Sequence, residues 1–171
     1  MYIISKRSLA ALALPAAAAL AGGCGAASTS SQTPHAADGR VPTIGVRADA
    51  GLGTILVDSG GRTLYLFRRD TQGRSVCAGA CAAAWPPLRD RSAPVSGTGL
   101  RRSLVGLTRR SDGRPQVTYN GHPLYLFRGD TSPGDTTGQG VNAFGGLWYA
   151  LSRSGDAVTG SGPALGASRG Y

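Results

Sequence analysis

The chain contains no glutamate, because all nine acidic residues are aspartates, and it has only two histidines, His35 and His122. Without glutamate the HExxH pattern of zinc hydrolases cannot occur, and the cysteines have no histidine at a spacing typical of a Cys/His nucleophile. Lysine does not follow the glycine-rich stretch GDTTGQGV, so this stretch is not a phosphate-binding P-loop. We therefore expect a non-catalytic protein without cofactor, and we predict no catalytic residues and no metal ligands.

The chain also lacks a long hydrophobic run. Lys6 and Arg7 precede an apolar stretch over residues 9–20, which is shorter than the roughly 20 residues that a permanent transmembrane helix needs. This order of charge and apolar residues predicts a signal peptide over residues 1–23. The sequence AGGC at its end resembles a bacterial lipobox, although Ala21 stands where a larger aliphatic residue is usual. The resemblance implies a lipid on Cys24, and the alternative is a secreted protein with an unpaired thiol there.

Three cysteines are an odd number for an exported chain. If Cys24 carries a lipid, Cys77 and Cys81 remain as one pair, which is expected to oxidise outside the cytosol. An acyl anchor would hold the protein at the outer face of the cell membrane. The predicted localisation is therefore extracytoplasmic and membrane-anchored.

Basic residues exceed acidic ones. Loss of Lys6 and Arg7 with the signal peptide leaves 16 of the 18 basic residues against nine aspartates, a net charge of +7. Nucleic acid is not an expected partner of an exported protein, so we predict anionic lipid head groups or wall polymers instead. The alternative is that the arginines, including the doublets Arg68/Arg69, Arg101/Arg102 and Arg109/Arg110, are ordinary solvated side chains. The sequence indicates no particular protein partner.

Composition divides the mature chain into three parts. Residues 24–43 form the lipidated cysteine and a small, polar tether, and residues 158–171 form a disordered tail. Between them, residues 44–157 are long enough for one modest core. Dense glycine and proline, with no sustained helical period, favour short strands joined by turns.

One strand pattern occurs twice, as GRTLYLFRRDT over residues 61–71 and GHPLYLFRGDT over residues 121–131. Each copy ends a predicted hairpin, in which residues 55–58 precede 63–67 and residues 114–119 precede 122–127. Further strands are predicted over residues 103–108 and 147–152. The repeats span about residues 52–90 and 114–152, and we expect each to cover the apolar face of the other.

Both faces of the repeated strand are apolar. Leu64 and Leu66 point to one side, while Tyr65 and Phe67 point to the other. This pattern is typical of a central strand that is covered on both sides.

An aspartate follows each repeated strand. Asp70 and Asp130 precede loops, where a carboxylate can accept hydrogen bonds from loop amides, and this structural role is the favoured interpretation. The alternative is a ligand cleft lined by these aspartates together with Tyr65 and Tyr125. Asp130 and Asp135 also suggest calcium, but the spacing lacks a terminal bidentate acid, so a glycine-rich loop is favoured.

These residues resemble the bacterial secreted-repeat lipoproteins that carry a YxFxxD-type motif. The motif falls on Tyr65, Phe67 and Asp70 in the first copy and on Tyr125, Phe127 and Asp130 in the second. Similarity extends to the segments SVCAGACAAAWPPL, QVTYNGHPLYLF and GDTSPGDTTGQGV. The resemblance implies an envelope lipoprotein without a settled activity. Gln139, where similar loops often have Asp, and an apparent insertion at residues 143–146 depart from the pattern.

The segment SVCAGACAAAW predicts one short helix over residues 76–84 with Ser75 as its N-cap. Cys77 and Cys81 would then lie on one helix face with Cα atoms about 6 Å apart, so that a bridge needs some distortion. A structural disulfide is favoured, and the alternative is a strained, reducible one. Haem attachment would require CxxCH, and a metal site would require further ligands.

Together these observations predict a mainly β fold, in which two pseudo-repeated hairpin units pack into one domain with one short disulfide-bearing helix. The predicted function is a non-catalytic binding or structural role at the outer face of the membrane. The alternative is an accessory role in extracellular thiol–disulfide or electron transfer through Cys77 and Cys81.

Overall fold

A computed structural model describes residues 43–90 and 94–160 of the chain. The predicted signal peptide, Cys24, the tether up to residue 42 and the tail beyond residue 160 lie outside this part. In it, the elements are β1 (Ile44–Asp49), β2 (Gly53–Asp58), β3 (Tyr65–Phe67), α1 (Ala80–Ala84), a 3-10 turn (Arg102–Leu104), β4 (Val105–Arg109), β5 (Pro115–Tyr119), β6 (His122–Pro123), β7 (Asn142–Ala143) and β8 (Gly146–Ala150). None of the helices in these two ranges is long and apolar enough to cross a membrane.

The strands form three small antiparallel sheets, with the orders β1–β2, β3–β8–β7 and β4–β5–β6. The fold is therefore mainly β, as predicted. The hairpin between β5 and β6 turns at Asn120 and Gly121, whose φ angles are 49° and 76°. Two consecutive residues with positive φ define the tight turn that matches the twist of antiparallel strands.

The two repeats fold in the same way around their turns. In the first, the Leu64 amide donates to the Leu56 carbonyl at 3.0 Å, and in the second the Leu124 amide donates to the Val117 carbonyl at 3.0 Å. Both predicted hairpins are therefore present at their turns. Beyond the turn of the first hairpin, β3 leaves β2 and pairs with β8.

Each repeat also completes the other. The Leu56 amide donates to the carbonyl of Leu151 in the second repeat, and the Val117 amide donates to the carbonyl of Leu88 in the first, both at 2.9 Å. The segments that end the two repeats are thus exchanged. Neither repeat contains all of its own backbone partners.

Tyr65 and Tyr125 mark the centre of this arrangement. The amide of each residue donates to the carbonyl of the other at 2.9 Å, which forms an antiparallel bridge between the two repeated strands. Because the two bonds are reciprocal, equivalent residues of the repeats lie on opposite sides of the bridge. The repeats are therefore related by an approximate two-fold axis at this point.

The core has two clusters. Tyr65 and Phe67 belong to a cluster in which half of the buried residues are aromatic, here called the aromatic cluster, and Leu64 and Leu66 belong to a mainly aliphatic one. All residues of β3 are buried, so the prediction of a central strand with two covered faces is confirmed. Both clusters contain side chains from the two repeats, which confirms that each repeat covers apolar surface of the other.

The helix is shorter than predicted. It begins at Ala80 rather than at residue 76, its N-cap is Gly79, and no side chain caps it. Gly79 has a φ of 54°, a conformation that ends helical geometry towards the N-terminus. The predicted N-cap, Ser75, has other partners. Cys77 therefore lies outside the helix, and its Cα atom is 5.3 Å from that of Cys81.

Other boundaries also differ from the prediction. Strand β1 was not predicted, and residues 102–104 form a 3-10 turn where a strand was expected to start. Residues 143–146, interpreted as an insertion, form the tight turn between β7 and β8. The fold extends past residue 157, because the Val158 amide donates to the Ala150 carbonyl at 2.9 Å.

Candidate functional site

The motif residues form two hydrogen-bonded pairs that cross between the repeats. The Tyr65 hydroxyl donates to Oδ2 of Asp130 at 2.7 Å, and the Tyr125 hydroxyl donates to Oδ2 of Asp70 at 2.6 Å. Both tyrosines are 0% exposed. The structure therefore brings all four polar motif residues together, but each phenol binds the carboxylate of the other repeat.

The second oxygen of each carboxylate holds a loop. Oδ1 of Asp70 accepts from the Val76 amide at 2.8 Å, and Oδ1 of Asp130 accepts from the Thr137 amide at 2.9 Å. The Thr137 hydroxyl also donates to this atom, at 2.6 Å. Each motif aspartate therefore accepts a hydrogen bond from the amide of the loop that follows it.

Burial controls the protonation of these pairs. Desolvation raises the pKa of Tyr65 and of Tyr125 well above the ordinary phenol value, and the adjacent carboxylates raise it further. Desolvation also raises the pKa of Asp70 and of Asp130, while the hydrogen bonds that they accept act in the opposite direction. The phenols therefore stay protonated near neutral pH and donate to the carboxylates.

The Tyr125–Asp70 pair has a buried arginine beside it. Arg110 is 5% exposed, and one of its terminal nitrogens donates to Ser75 Oγ at 2.8 Å and to Gln116 Oε1 at 2.6 Å. Ser75 Oγ also lies 2.7 Å from the Tyr125 hydroxyl, whose own proton goes to Asp70. This network links the second repeat to the loop that carries the first cysteine.

Sequence reasoning missed Arg110, which was grouped with Arg109 as surface charge. The side chain is buried, because its fork satisfies Ser75, Gln116 and the carbonyl oxygen of Cys77. Nothing in the doublet distinguishes the buried arginine from the exposed one. The Tyr65–Asp130 pair has no equivalent arginine among the described residues, and the Gly138 amide donates to the Tyr65 hydroxyl there at 3.3 Å.

Four aromatic rings stack through the larger cluster. They lie in the order Phe67, Trp148, Trp85 and Phe127, with successive centroids 4.1, 3.9 and 4.2 Å apart. Rings of the first and second repeat alternate along the stack, and the motif tyrosines contact the indoles edge-on. Such contacts stabilise beyond simple area burial, so the motif phenylalanines have a structural role in joining the repeats.

The disulfide between Cys77 and Cys81 is formed and buried. The two residues are 1% and 7% exposed, and both belong to the aromatic cluster. Burial of both sulfur atoms limits the approach of an external thiolate, which must reach one of them to exchange.

The glycine-rich loop after the second motif is also held by internal bonds. Oδ2 of Asp135 accepts from the amides of Thr131 and Ser132, each at 2.8 Å. The side chain of Gln139 bonds to the backbone of Ala150 and of Val158. In residues 43–90 and 94–160, no group of three His, Cys or Asp side chains is placed to hold a metal ion.

Fold and site together define a two-repeat β domain whose motif residues join the repeats. A family described as a secreted repeat of unknown function matches residues 46–89 and 106–152, just over half of the chain. The chain belongs to this family. The matches begin earlier than the predicted repeats at residues 52 and 114, because β1 and β4 are part of the repeating unit. The family is secreted, so the domain is extracytoplasmic. No curated protein and no solved structure matches the chain.

Proposed function

We propose that the protein is a non-catalytic binding module of the cell envelope, held at the outer face of the membrane by a lipid on Cys24. One observation carries the proposal: the crossed pairs consume the phenols and carboxylates of both motifs in internal hydrogen bonds. Groups that are committed in this way and buried are unsuited to act on a substrate. Binding must then use the surface.

The surface offers uncompensated positive charge. Several exposed arginines donate to backbone carbonyls rather than to carboxylates: Arg69 to Phe144, Arg128 to Ala83 and Arg153 to Gly99. These contacts fix the side chains without neutralising them. Anionic lipid head groups or wall polymers are the envelope components whose charge complements such a surface.

Sedimentation tests the binding role. The exported whole chain, with Cys24→Ser to remove the anchor, is mixed with phosphatidylglycerol/phosphatidylcholine vesicles, with phosphatidylcholine vesicles and with isolated cell walls. We expect the protein to sediment with the anionic vesicles or the walls, and to be released by high salt as screening increases. Equal recovery with the neutral vesicles, and none with walls, would refute the proposal.

Fractionation tests the anchor. We expect the unaltered chain to stay with the membrane after a high-salt wash, and the Cys24→Ser chain to appear in the soluble extracytoplasmic fraction. Metabolic labelling with a fatty acid should mark only the unaltered chain. An unlabelled wild-type chain in the soluble fraction would contradict the lipid on Cys24.

The alternative function, extracellular thiol or electron transfer, depends on Cys77 and Cys81. Their burial gives this alternative no support in the folded state. The reduction experiment in the Discussion separates the two functions.

A further inference from the structure

We propose that a surface hollow beside β2 and the segment that follows β8 is a binding site for a singly charged phosphodiester. The hollow has a volume of about 490 Å³ and is lined by Thr54, Gly99, Arg101, Ser152, Arg153 and Ser154. Two guanidinium groups at one concave site match the geometry of a phosphate, since each can present a fork of N–H donors. This inference rests on the proposed envelope-binding function and specifies where it resides.

A buried phenol fixes the backbone that carries both arginines. The Tyr119 hydroxyl donates to the Arg153 carbonyl at 3.1 Å and accepts from the Arg101 amide at 3.3 Å. Tyr119 is 0% exposed. The separation of the two arginine backbones is therefore set by the core, and not by a flexible surface turn.

The side chain of Arg153 is itself oriented. Its Nε–H donates to the Gly99 carbonyl, and a Cβ atom added to Gly99 would lie 3.3 Å from the guanidinium. Gly99, with a φ of 85°, thus allows the guanidinium to lie close to the backbone. With Nε occupied, the two terminal nitrogens remain available as a fork for an anion.

The local charge favours a monoanion. Neither Arg101 nor Arg153 forms an ion pair with any carboxylate in the described part of the chain. The neighbouring acid is Asp156, whose Oδ2 accepts from Ser154 Oγ at 2.6 Å, and it does not line the hollow. Two guanidiniums and one nearby carboxylate leave a net charge of +1, which suits a phosphodiester better than a doubly charged phosphomonoester.

The hydroxyl groups that line the hollow have two roles: the serines bond to one another and to Asp156, and Thr54 is left to bind the anion. Ser154 donates to Asp156, and Ser152 Oγ lies 2.8 Å from Ser154 Oγ, so the serine protons run in a chain towards the carboxylate. Thr54 also lines the hollow and is exposed. Its hydroxyl is the donor that is free to join the guanidiniums on a phosphate oxygen.

Titration with a soluble diester tests the site directly. We use the exported whole chain with Cys24→Ser and follow binding of glycerophosphoglycerol by calorimetry and by NMR shifts, with acetate and inorganic phosphate for comparison. We expect saturable binding of the diester, and about a tenfold loss of affinity in Arg101→Gln and in Arg153→Gln, as for one charge-assisted contact. Arg153→Lys should also bind more weakly, because lysine keeps the charge but lacks the fork.

The matched control is Arg109→Gln, which removes the same charge from an exposed arginine outside the hollow. It should bind the diester as the parent chain does. If Arg109→Gln loses as much affinity for the diester as the hollow variants do, binding depends on the overall positive charge of the surface and not on the hollow. That result would overturn the inference. Arg101→Gln is the decisive variant if Arg153→Gln fails to fold, because the Arg101 side chain makes no hydrogen bond or ion pair to the described residues.

Two further sedimentation experiments show whether the phosphodiester belongs to a lipid head group or to a wall polymer. Loss of sedimentation by Arg101→Gln with phosphatidylglycerol vesicles assigns the site to lipid head groups, and loss with isolated walls assigns it to a wall polymer. If the parent chain sediments with either one but does not bind glycerophosphoglycerol, the hollow is refuted while the proposed function stands. If the parent chain sediments with neither, the proposed function itself fails.

Discussion

The Tyr65 hydroxyl donates to the carboxylate of Asp130, 65 residues later in the chain, at 2.7 Å. The reciprocal bond joins Tyr125 to Asp70 across 55 residues. Each motif is therefore completed only when both repeats have folded against each other. The tyrosine and aspartate of the motif report on the docking of the repeats, which makes them sensitive positions for stability measurements.

Removal of the Tyr65 hydroxyl should destabilise the fold. Tyr65→Phe leaves Asp130, which is buried, without its phenol donor, so we expect the free energy of unfolding to fall by about 1–3 kcal/mol. Tyr125→Phe should have a smaller effect, because Asp70 is only half-buried. Urea unfolding followed by tryptophan fluorescence measures both changes. Tyr149→Phe is the control, since the half-buried Tyr149 hydroxyl has no hydrogen bond to the described residues, and an equal effect there would contradict the role of the crossed pairs.

Stability should depend on pH through the buried aspartates. Burial raises the pKa of Asp130 in the folded state above its unfolded value, so the folded state binds more protons between about pH 4 and the raised value. The contribution of Asp130 to the free energy of unfolding should therefore decrease as pH rises through this window. In Asp130→Asn the decrease should be smaller, because only Asp70 still contributes in this direction. Thermal melts of both chains from pH 4 to pH 8 measure this difference. If stability depends on pH to the same extent in both chains, the role of Asp130 is contradicted.

Below this pH window the free energy of unfolding should change in the opposite direction with pH. Hydrogen bonds from loop amides lower the pKa of the carboxyls of Asp112 and Asp135, so their contribution to stability is lost as pH falls through the acid range. The Asp130→Asn chain should retain this acid-side loss, which serves as its internal control.

The disulfide should stabilise the fold without being easy to reduce. Replacing both Cys77 and Cys81 by Ser should lower the free energy of unfolding by roughly 2 kcal/mol, because the closed loop is short. The far-ultraviolet circular dichroism spectrum should remain unchanged. In the unaltered protein, dithiothreitol should reduce the bridge slowly below the melting transition and rapidly in urea. Rapid reduction of the folded chain would favour the thiol-transfer function.

A substitution in one turn should stabilise the protein. Phe144 occupies the first position of the β7–β8 turn with a φ of 55°, and Gly145 follows with a φ of 79°. A bulky residue is strained in this conformation, and asparagine tolerates it better. Phe144→Asn should therefore raise the free energy of unfolding by about 1 kcal/mol. Asn120→Ala, in the equivalent conformation of the β5–β6 turn, should lower it, and a loss of stability in Phe144→Asn would disprove the strain.

Much of the fold could be predicted because it depends on local pattern. The alternation of Leu64 and Leu66 with Tyr65 and Phe67 indicated a strand covered on both faces, and the structure confirms it. Asn120 and Gly121 indicated the second hairpin turn. The start of α1 was wrong because the alanines dominated the prediction, whereas the positive φ of Gly79 excludes helical geometry before Ala80.

The site was harder to predict because its contacts are long-range. Duplication shows that Tyr65 and Tyr125 are equivalent, but not which aspartate each one binds. Likewise, Arg110 and Arg153 look alike in sequence, although one is buried in a network and the other lines a hollow. Their difference arises from the partners that folding brings to them, Gln116 in one case and Gly99 in the other.

The exchange of Leu88 and Leu151 between the repeats has a consequence for how such a chain is made. A fragment with a single copy would lack these partners and could recover them only from a second fragment, so its folding would depend on concentration. Linking the copies in tandem converts that bimolecular association into an intramolecular one. A dilute exported chain can then fold alone, without first meeting another molecule of its kind.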